Sequence, residues 1–185
     1  MVRWAERAVE QYPSITLPII PSTHSLTPSN CDRVRAFFMT SLPPRVALAT
    51  DHAGFPLKEA VKAHLIAQGI DVLDAGTFSE EPVDYPAIIR KGCAIVLEQQ
   101  CPGIVFGGSG NGEAIAANKV KGIRAARCCS VEDAKLAREH NDANVMSLGG
   151  RMIKPALTLD MVDVFLTTDF EGGRHAARVA DLESA

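Results

Sequence analysis

The sequence predicts an α/β fold: a doubly wound, five-stranded parallel sheet with helices on both faces, a Rossmann-like α/β/α sandwich. Strand-like and helix-like segments alternate five times from residue 45 onward. The strand-like segments are short apolar runs without period-two alternation, which is typical of parallel strands buried on both faces. Right-handed crossovers between such strands place helices on both sides of the sheet.

Each element is predicted from its own pattern. The first helix has Leu57, Val61 and Leu65 on one stripe at helical spacing, and Gly69 ends it. The predicted strands are residues 46–50, 70–73, 103–106, 123–127 and 144–148. The predicted helices are residues 56–68, 86–98, 114–119, 131–139, 155–166 and 173–183.

Composition limits the classes of function. The chain has 185 residues, with 19 Lys+Arg, 22 Asp+Glu and a net charge of −3. This mildly acidic balance argues against a nucleic-acid partner, because binding the phosphate backbone requires a basic stripe on the protein. Apolar runs stay well short of the roughly 20 residues that cross a bilayer, so no membrane partner is expected.

The first 44 residues differ from the rest. They contain six of the 11 prolines and neither Lys nor Gly. Proline at this density disfavours helices and ladders, so residues 1–44 are predicted to be a largely irregular extension with one short helix at residues 2–11. A targeting peptide and a translation start at Met39 remain open. The folded domain is then residues 45–185, including a C-terminal helix.

The cysteines indicate a cytoplasmic protein. The five of them are an odd number without C-x-x-C spacing, which fits neither a disulfide framework nor a zinc site. Glu6 and Glu10 stand where a signal peptide would have an apolar core. Free thiols in a reducing cytoplasm are therefore expected.

A glycine-rich loop stands between the third strand and the next helix. Residues 107–112 contain four glycines, whose backbone N–H groups form a cradle for an anion. The loop does not fit a dinucleotide or P-loop motif, because Glu113-Ala114 replaces the required glycine or the lysine and hydroxyl. A carboxylate there would repel a polyphosphate. The loop is therefore predicted to hold a group that becomes anionic during a reaction, such as an enediolate.

Glu113 is the candidate base beside this loop, although a glutamate in a first helical turn also simply favours the helix dipole. Asp51 and His52 follow the first strand, and both can move protons. Asp51 is alternatively a cap for the following helix. His140, with Asn141, lies just before the fifth strand and is either catalytic or structural.

Three arginines are candidates for binding a phosphate. Arg151 follows the fifth strand, and Arg174 and Arg178 are four residues apart on one face of the last helix. Together with His52 they can hold a phosphate dianion. A solvated helix face is the alternative for the last two.

Several motifs, in order from Arg45 to Leu182, resemble the type B ribose-5-phosphate isomerases, a family that includes galactose-6-phosphate and allose-6-phosphate isomerases. The motifs are residues 50–58 (TDHAGFPLK), 84–86 (DYP), 107–119 (GGSGNGEAIAANK), 122–125 (GIRA), 138–144 (REHNDAN), 149–151 (GGR) and 172–175 (GGRH). Residues 1–44 have no counterpart in the family.

The resemblance implies an intramolecular oxidoreductase of the pentose phosphate pathway that interconverts ribose 5-phosphate and ribulose 5-phosphate without metal or cofactor. One branch of the family has a cysteine base where Gly107 stands, and a second has a glutamate that Glu113 matches. The implied catalytic residues are Glu113, His140 (ring opening) and Asp51 (proton movement). The implied substrate-binding residues are His52, Gly108, Ser109, Gly110, Asn111, Gly112, Asn141, Arg151, Arg174 and Arg178.

The resemblance also implies a homodimer or tetramer in which Arg174 and Arg178 act across the interface. Residues 170–175 look more like the cysteine branch than the glutamate branch. Isomerisation of allose 6-phosphate, galactose 6-phosphate or a tetrose phosphate therefore stays open, as does a non-catalytic regulator that binds phospho-sugars.

Overall fold

The structure is a computed structural model that describes residues 42–184. The predicted helix at residues 2–11, nearly all of the predicted irregular extension and the alternative start at Met39 lie outside the described residues. None of the helices within residues 42–184 is long and apolar enough to cross a membrane.

Five parallel strands form a single sheet, which confirms the predicted fold class. In sheet order they run β2-β1-β3-β5-β4, and each neighbouring pair is parallel. The strands are β1 (Arg45–Thr50), β2 (Asp71–Asp74), β3 (Gly103–Gly107), β4 (Ala125–Arg127) and β5 (Val145–Gly149). The short β1, β3 and β5 are buried along almost their whole length, as expected for strands covered on both faces.

Residues 42–184 contain six helices, and the first five of them cover both faces of the sheet. They are α1 (Phe55–Ala67), α2 (Tyr85–Gln99), α3 (Asn111–Ala117), α4 (Val131–Asn141), α5 (Pro155–Thr167) and α6 (Arg174–Glu183). Apolar side chains of α1, α4 and α5 pack on one face of the sheet, around Phe106 and Met146. Those of α2 and α3 pack on the other face, around Val105 and Val145.

The sequence placed the start of α3 three residues too late. The helix begins at Asn111, inside the glycine-rich loop, and Gly110 is its N-cap with a φ of +80°. Only glycine adopts this left-handed conformation without strain, so the pattern of glycines concealed the first turn of the helix. Glu113 consequently lies within the first turn of α3.

The strand order places a crevice at one edge of the sheet. From β1 the chain adds β2 on one side of the sheet, and it then crosses over to add β3, β5 and β4 on the other side. The switch point of the sheet therefore lies between the neighbouring strands β1 and β3. In such sheets, ligands bind outside the carboxyl ends of the strands at this switch point. Asp51 directly follows β1 there, and the glycine-rich loop directly follows β3.

Candidate active site

The carboxylate of Glu113 lies against the backbone of Gly107. A Cβ atom added at Gly107 would clash with the carboxyl carbon and Oε1 of Glu113 and would lie 2.6 Å from Oε2. Glu113 is only 4% exposed. The absence of a side chain at residue 107 therefore creates the space into which the candidate base folds, at the carboxyl end of β3.

Burial raises the pKa of Glu113 above the ordinary value for a glutamate. The backbone N–H groups of Glu113 and Gly110 oppose this rise by stabilising the carboxylate, whereas the negative charge of Asp51 adds to it. A raised pKa brings a carboxylate closer to the proton affinity that a general base needs at neutral pH.

Asp51 and His52 lie in the loop after β1, and the charge of Asp51 acts on the carboxylate of Glu113. Asp51 is buried, and its Oδ1 accepts hydrogen bonds from the backbone N–H groups of Ala53 (2.9 Å) and Gly54 (3.0 Å). One oxygen of Asp51 therefore fixes the turn that leads into α1, whose N-cap is Gly54. Nδ1 of His52 accepts a hydrogen bond from the backbone N–H of Val83 at 3.2 Å, which leaves Nε2 to carry the ring proton.

Backbone and side-chain bonds hold the glycine-rich loop in place. The carbonyl of Ser109 accepts a hydrogen bond from Nε of Arg127 at 2.9 Å, and its Oγ accepts one from the backbone N–H of Asn111 at 3.3 Å. The buried Ser147 donates its hydroxyl to the carbonyl of Gly110 at 2.7 Å. Sequence reasoning did not identify Arg127 and Ser147, because neither stands in a recognisable motif for this task.

The loop after β5 brings Arg151 to the same place. The backbone N–H of Gly150 donates to the carbonyl of Gly107 (2.7 Å), and that of Arg151 donates to the carbonyl of Gly108 (3.1 Å). The guanidinium of Arg151 lies 3.8 Å from the position that a Cβ at Gly108 would occupy. Arg151 is exposed, so its charge is available at the mouth of the crevice.

Tyr85 is a further residue at this site that the sequence did not single out as functional. Its hydroxyl oxygen would lie 2.7 Å from a Cβ at Gly112, so its ring covers the loop beside Glu113. The signal was present in the sequence, since Tyr85 lies in the motif at residues 84–86. We call the group formed by Asp51, His52, residues 107–113 and Arg151 the carboxyl-edge cluster.

The remaining candidates form a second group, which we call the helix-end cluster: His140, Asn141, Arg174 and Arg178. The structure extends α4 two residues beyond the predicted end, so His140 and Asn141 form its last turn. Arg174 and Arg178 lie on α6, and Arg174, Arg178 and Asn141 are exposed. The chain between α5 and α6 is joined to α4 by a hydrogen bond from the backbone N–H of Glu171 to the carbonyl of Glu139 at 3.0 Å.

Two histidines stack in the helix-end cluster. The rings of His140 and His175 have centroids 4.3 Å apart and an angle of 7° between their planes. Oε2 of Glu171 lies 3.9 Å from Nε2 of each ring. These three side chains are close enough to hold a metal ion. However, Nε of Arg174 donates to Nε2 of His175 at 3.2 Å and occupies the lone pair that a metal would need.

The two clusters lie at opposite edges of the sheet. α4 starts after the carboxyl end of β4 and ends just before the amino end of β5, whereas Glu113 and Arg151 follow the carboxyl ends of β3 and β5. The five residues of β5 alone span about 16 Å at about 3.3 Å per residue. The two clusters of one chain therefore cannot touch the same carbon atoms of one small molecule.

Known proteins with similar sequences cover most of the chain. A family model described as Ribose/Galactose Isomerase matches residues 46–182. Ribose-5-phosphate isomerase B of Mycolicibacterium paratuberculosis is 49% identical over 138 residues, which cover 73% of this chain and 87% of that protein. The protein of the same name from Escherichia coli K12 is 42% identical over 136 residues, covering 73% and 91%.

Solved structures show the same fold. A ribose 5-phosphate isomerase from Thermotoga maritima is 46% identical, with a TM-score of 0.75 and coverage of 76% of this chain and 98% of that one. Ribose-5-phosphate isomerase B from Mycoplasma genitalium with bound ribulose-5-phosphate is 36% identical, with a TM-score of 0.72 and coverage of 76% and 94%.

Proposed function

Because this chain belongs to the ribose/galactose isomerase family, we propose that it interconverts ribose 5-phosphate and ribulose 5-phosphate, with Glu113 as the base of an enediolate mechanism. The observation that carries the proposal is the place of the Glu113 carboxylate, buried against Gly107 at the switch point of the sheet. The bound ribulose-5-phosphate of the Mycoplasma genitalium relative supports the choice of substrate.

The reaction moves one proton between carbons and needs no external oxidant. In open-chain ribose 5-phosphate, Glu113 removes the proton from C2, and the C–H electron pair becomes the C1=C2 double bond of an enediolate. Return of that proton to C1 leaves the carbonyl at C2, so C1 is reduced and C2 is oxidised. In this proposal Asp51, whose negative charge acts on Glu113, passes the accompanying proton between the two sugar oxygens.

The glycine-rich loop supplies the charge stabilisation. The loop leads into the first turn of α3, and helix N-termini offer backbone N–H groups to anions. Loss of one donor to a developing oxyanion costs about 3 kcal/mol. The bonds from Arg127 and Ser147 keep these donors fixed before substrate arrives, which avoids reorganisation during the reaction.

A complete site needs two protomers in this proposal. The carboxyl-edge cluster of one protomer supplies Glu113, Asp51, His52 and Arg151. The helix-end cluster of its partner supplies the acid that opens the sugar ring, a sugar contact and two phosphate ligands. The separation of the two clusters within one protomer and the exposure of Asn141, Arg174 and Arg178 support this arrangement. The assembly is then at least a homodimer.

The phosphate is held from both sides. His52 and Arg151 approach from the carboxyl-edge cluster, and Arg174 and Arg178 approach from the partner. Guanidinium groups bind phosphate oxygens in a bidentate manner and keep their charge at every accessible pH. Phosphate binding at a distance from C1 and C2 positions the open-chain sugar for proton removal.

The substrate panel is the direct experiment. Purified protein is assayed without added metal on aldose phosphates of four, five and six carbons, with Glu113→Gln as the control. Preferred turnover of ribose 5-phosphate supports the proposal. Preference for allose 6-phosphate, galactose 6-phosphate or a tetrose phosphate would assign that sugar phosphate as the substrate instead. Absence of any turnover would favour a regulator that only binds phospho-sugars.

The cytoplasm is the compartment that we propose for this enzyme. Four cysteines within the described residues are free thiols, and three of them are buried. Such thiols persist in a reducing compartment. Redox-sensitive labelling of the four thiols in intact cells tests this placement.

A further inference from the structure

We propose that His175 is a positioning residue that fixes two substrate-binding groups at once: its ring face holds the imidazole of His140, and its Nε2 holds the guanidinium of Arg174. This inference rests on the proposed function, which assigns ring opening to His140 and phosphate binding to Arg174. His175 itself touches neither the reacting carbons nor the phosphate in this proposal.

The burial of His175 is the first observation. His175 is 6% exposed, although its neighbours Arg174, Ala176, Ala177 and Arg178 on the same helix are exposed. It is the only buried residue of α6. A polar ring at the one buried position of a helix whose other residues are exposed or half-buried makes specific contacts there, since burial without partners would be costly.

The stacking contact fixes the plane of His140. With the two rings 4.3 Å apart and 7° from parallel, the imidazole of His140 cannot rotate about its χ2 angle without losing contact with the face of His175. His140 is only half-buried at the end of α4, so other contacts leave it more freedom. An acid that delivers a proton to a ring oxygen depends on the direction of its N–H group.

The second contact fixes Arg174. Nε of Arg174 donates to Nε2 of His175 at 3.2 Å, and a guanidinium held at Nε presents its two terminal nitrogens in a fixed direction. An accepting Nε2 carries no proton, so neutral His175 carries its proton on Nδ1. Burial lowers the pKa of His175, and the positive charges of His140, Arg174 and Arg178 lower it further against the opposing effect of Glu171.

Both contacts arise from one ring, and two substitutions separate them. Phenylalanine keeps a flat ring face for His140 but offers no acceptor to Arg174. Glutamine offers an amide oxygen near the place of Nε2 but no ring face. The matched pair His175→Phe and His175→Gln therefore removes one contact at a time.

Two readouts match the two contacts. Inhibition by inorganic phosphate reports the phosphate ligands. Ring opening is reported by the ratio of two rates. The first is the conversion of ribose 5-phosphate, whose ring must be opened. The second is the exchange of the C1 hydrogen of ribulose 5-phosphate with deuterated solvent, which requires no ring opening.

For His175→Phe we expect the inhibition constant for phosphate to rise about fivefold, as for one weakened bond to a charged group, with an unchanged ratio of conversion to exchange. For His175→Gln we expect that ratio to fall about tenfold, with phosphate inhibition unchanged. In the Arg174→Ala background, His175→Phe should have no additional effect on phosphate inhibition, because both changes remove the same interaction.

The proposal is overturned if both variants lose both readouts equally and melt at equally lowered temperatures, because His175 would then only stabilise the fold. It is also overturned if neither readout changes in either variant. The wild-type protein separates this outcome from failure of the proposed function. If the wild type does not convert ribose 5-phosphate, the function fails, whereas calorimetric titration with inorganic phosphate still tests the contact between His175 and Arg174.

Discussion

The carboxylate of Glu113 occupies the space that a side chain at Gly107 would fill. The two residues are therefore coupled: a base can extend from residue 113 only while residue 107 is glycine. The sequence resemblance implies that another branch of the family has a cysteine base at the position of Gly107. A thiol at residue 107 and a carboxylate from residue 113 are thus alternative occupants of the same place beside the glycine-rich loop.

This coupling predicts the effect of exchanging the bases. Gly107→Cys alone should lower kcat/KM about 100-fold or more, because the new side chain displaces the carboxylate of Glu113. In the Glu113→Ala background the same change should raise kcat/KM at least about tenfold, since the thiol then has room and can act as the base. Gly107→Ala in that background is the control without a base. Wild-type activity of Gly107→Ala with Glu113 intact would refute the shared space, because a methyl group there cannot replace the base.

Glu113→Gln should stabilise the fold at neutral pH. The pKa of Glu113 is raised in the folded protein above its ordinary value of 4.5 by burial, so the folded state binds this proton more tightly than the unfolded state. Stability is therefore lost as pH rises through the interval between the ordinary and the raised value, and it stays lower above that interval. Glutamine removes this loss.

The measurement is the melting temperature from pH 4 to pH 8. Glu113→Gln should melt a few degrees above wild type at pH 8, and the difference should shrink as the pH falls towards 4. The exposed Glu80→Gln serves as the control and should show no pH-dependent difference. A melting temperature below wild type at pH 8 would mean that the folded protein stabilises the charged carboxylate.

Mixed assemblies should recover activity from two inactive variants. Glu113→Gln destroys the carboxyl-edge cluster, and His140→Ala damages the helix-end cluster. A heterodimer of the two has one site with both clusters intact, so an equal mixture refolded together should regain about a quarter of the wild-type activity. Mixtures of separately folded proteins are the control. Recovery no greater than the sum of the variants would show that each protomer uses its own two clusters.

Fold and site differ in how much of each could be predicted from the sequence. Apolar runs such as residues 103–106 and the helical stripe of Leu57, Val61 and Leu65 report burial directly, so the sheet and its helices were predicted within a few residues. The stacking of His140 and His175 was not, because it joins residues 35 positions apart on different helices. Local patterns carry no information about such a contact.

The role of Glu113 could be predicted from the sequence only in part. Its charge and its place after the glycines indicated a base, but the reason that residue 107 is glycine became visible only when the carboxylate was located. Likewise, the sequence placed His140 just before the fifth strand, but the structure was needed to show that it lies at the edge of the sheet opposite Glu113.

A buried ion pair supports the loop after β2. The ammonium of Lys58 is 0% exposed and donates to both oxygens of Asp74 (2.9 and 2.8 Å) and to the carbonyl of Thr77 (2.9 Å). Burial would raise the pKa of Asp74, but hydrogen bonds from Lys58 and Lys62 outweigh it and lower the pKa. The loop so held bonds to β1 through the backbone N–H of Thr77, which donates to the carbonyl of Thr50 at 2.7 Å.

Lys58→Met should lower the free energy of unfolding by about 3 kcal/mol, because a buried carboxylate loses its main partner. Lys62→Met is the matched control: Lys62 also donates to Asp74 at 2.8 Å, but its side chain is 30% exposed, and about 1 kcal/mol is expected. Urea unfolding of both variants gives the comparison. Equal losses would show that burial of Lys58 adds nothing to the pair.

The most direct test of the central claim is exchange of the C2 hydrogen of ribose 5-phosphate with deuterated solvent, followed for wild type and Glu113→Gln. Wild type should exchange this hydrogen during turnover. Glu113→Gln should bind the substrate with an affinity within a few-fold of wild type, as measured by calorimetry. It should exchange the C2 hydrogen about 10²- to 10⁴-fold more slowly than wild type. Exchange by Glu113→Gln at a rate near that of wild type would contradict the assignment of Glu113 as the base.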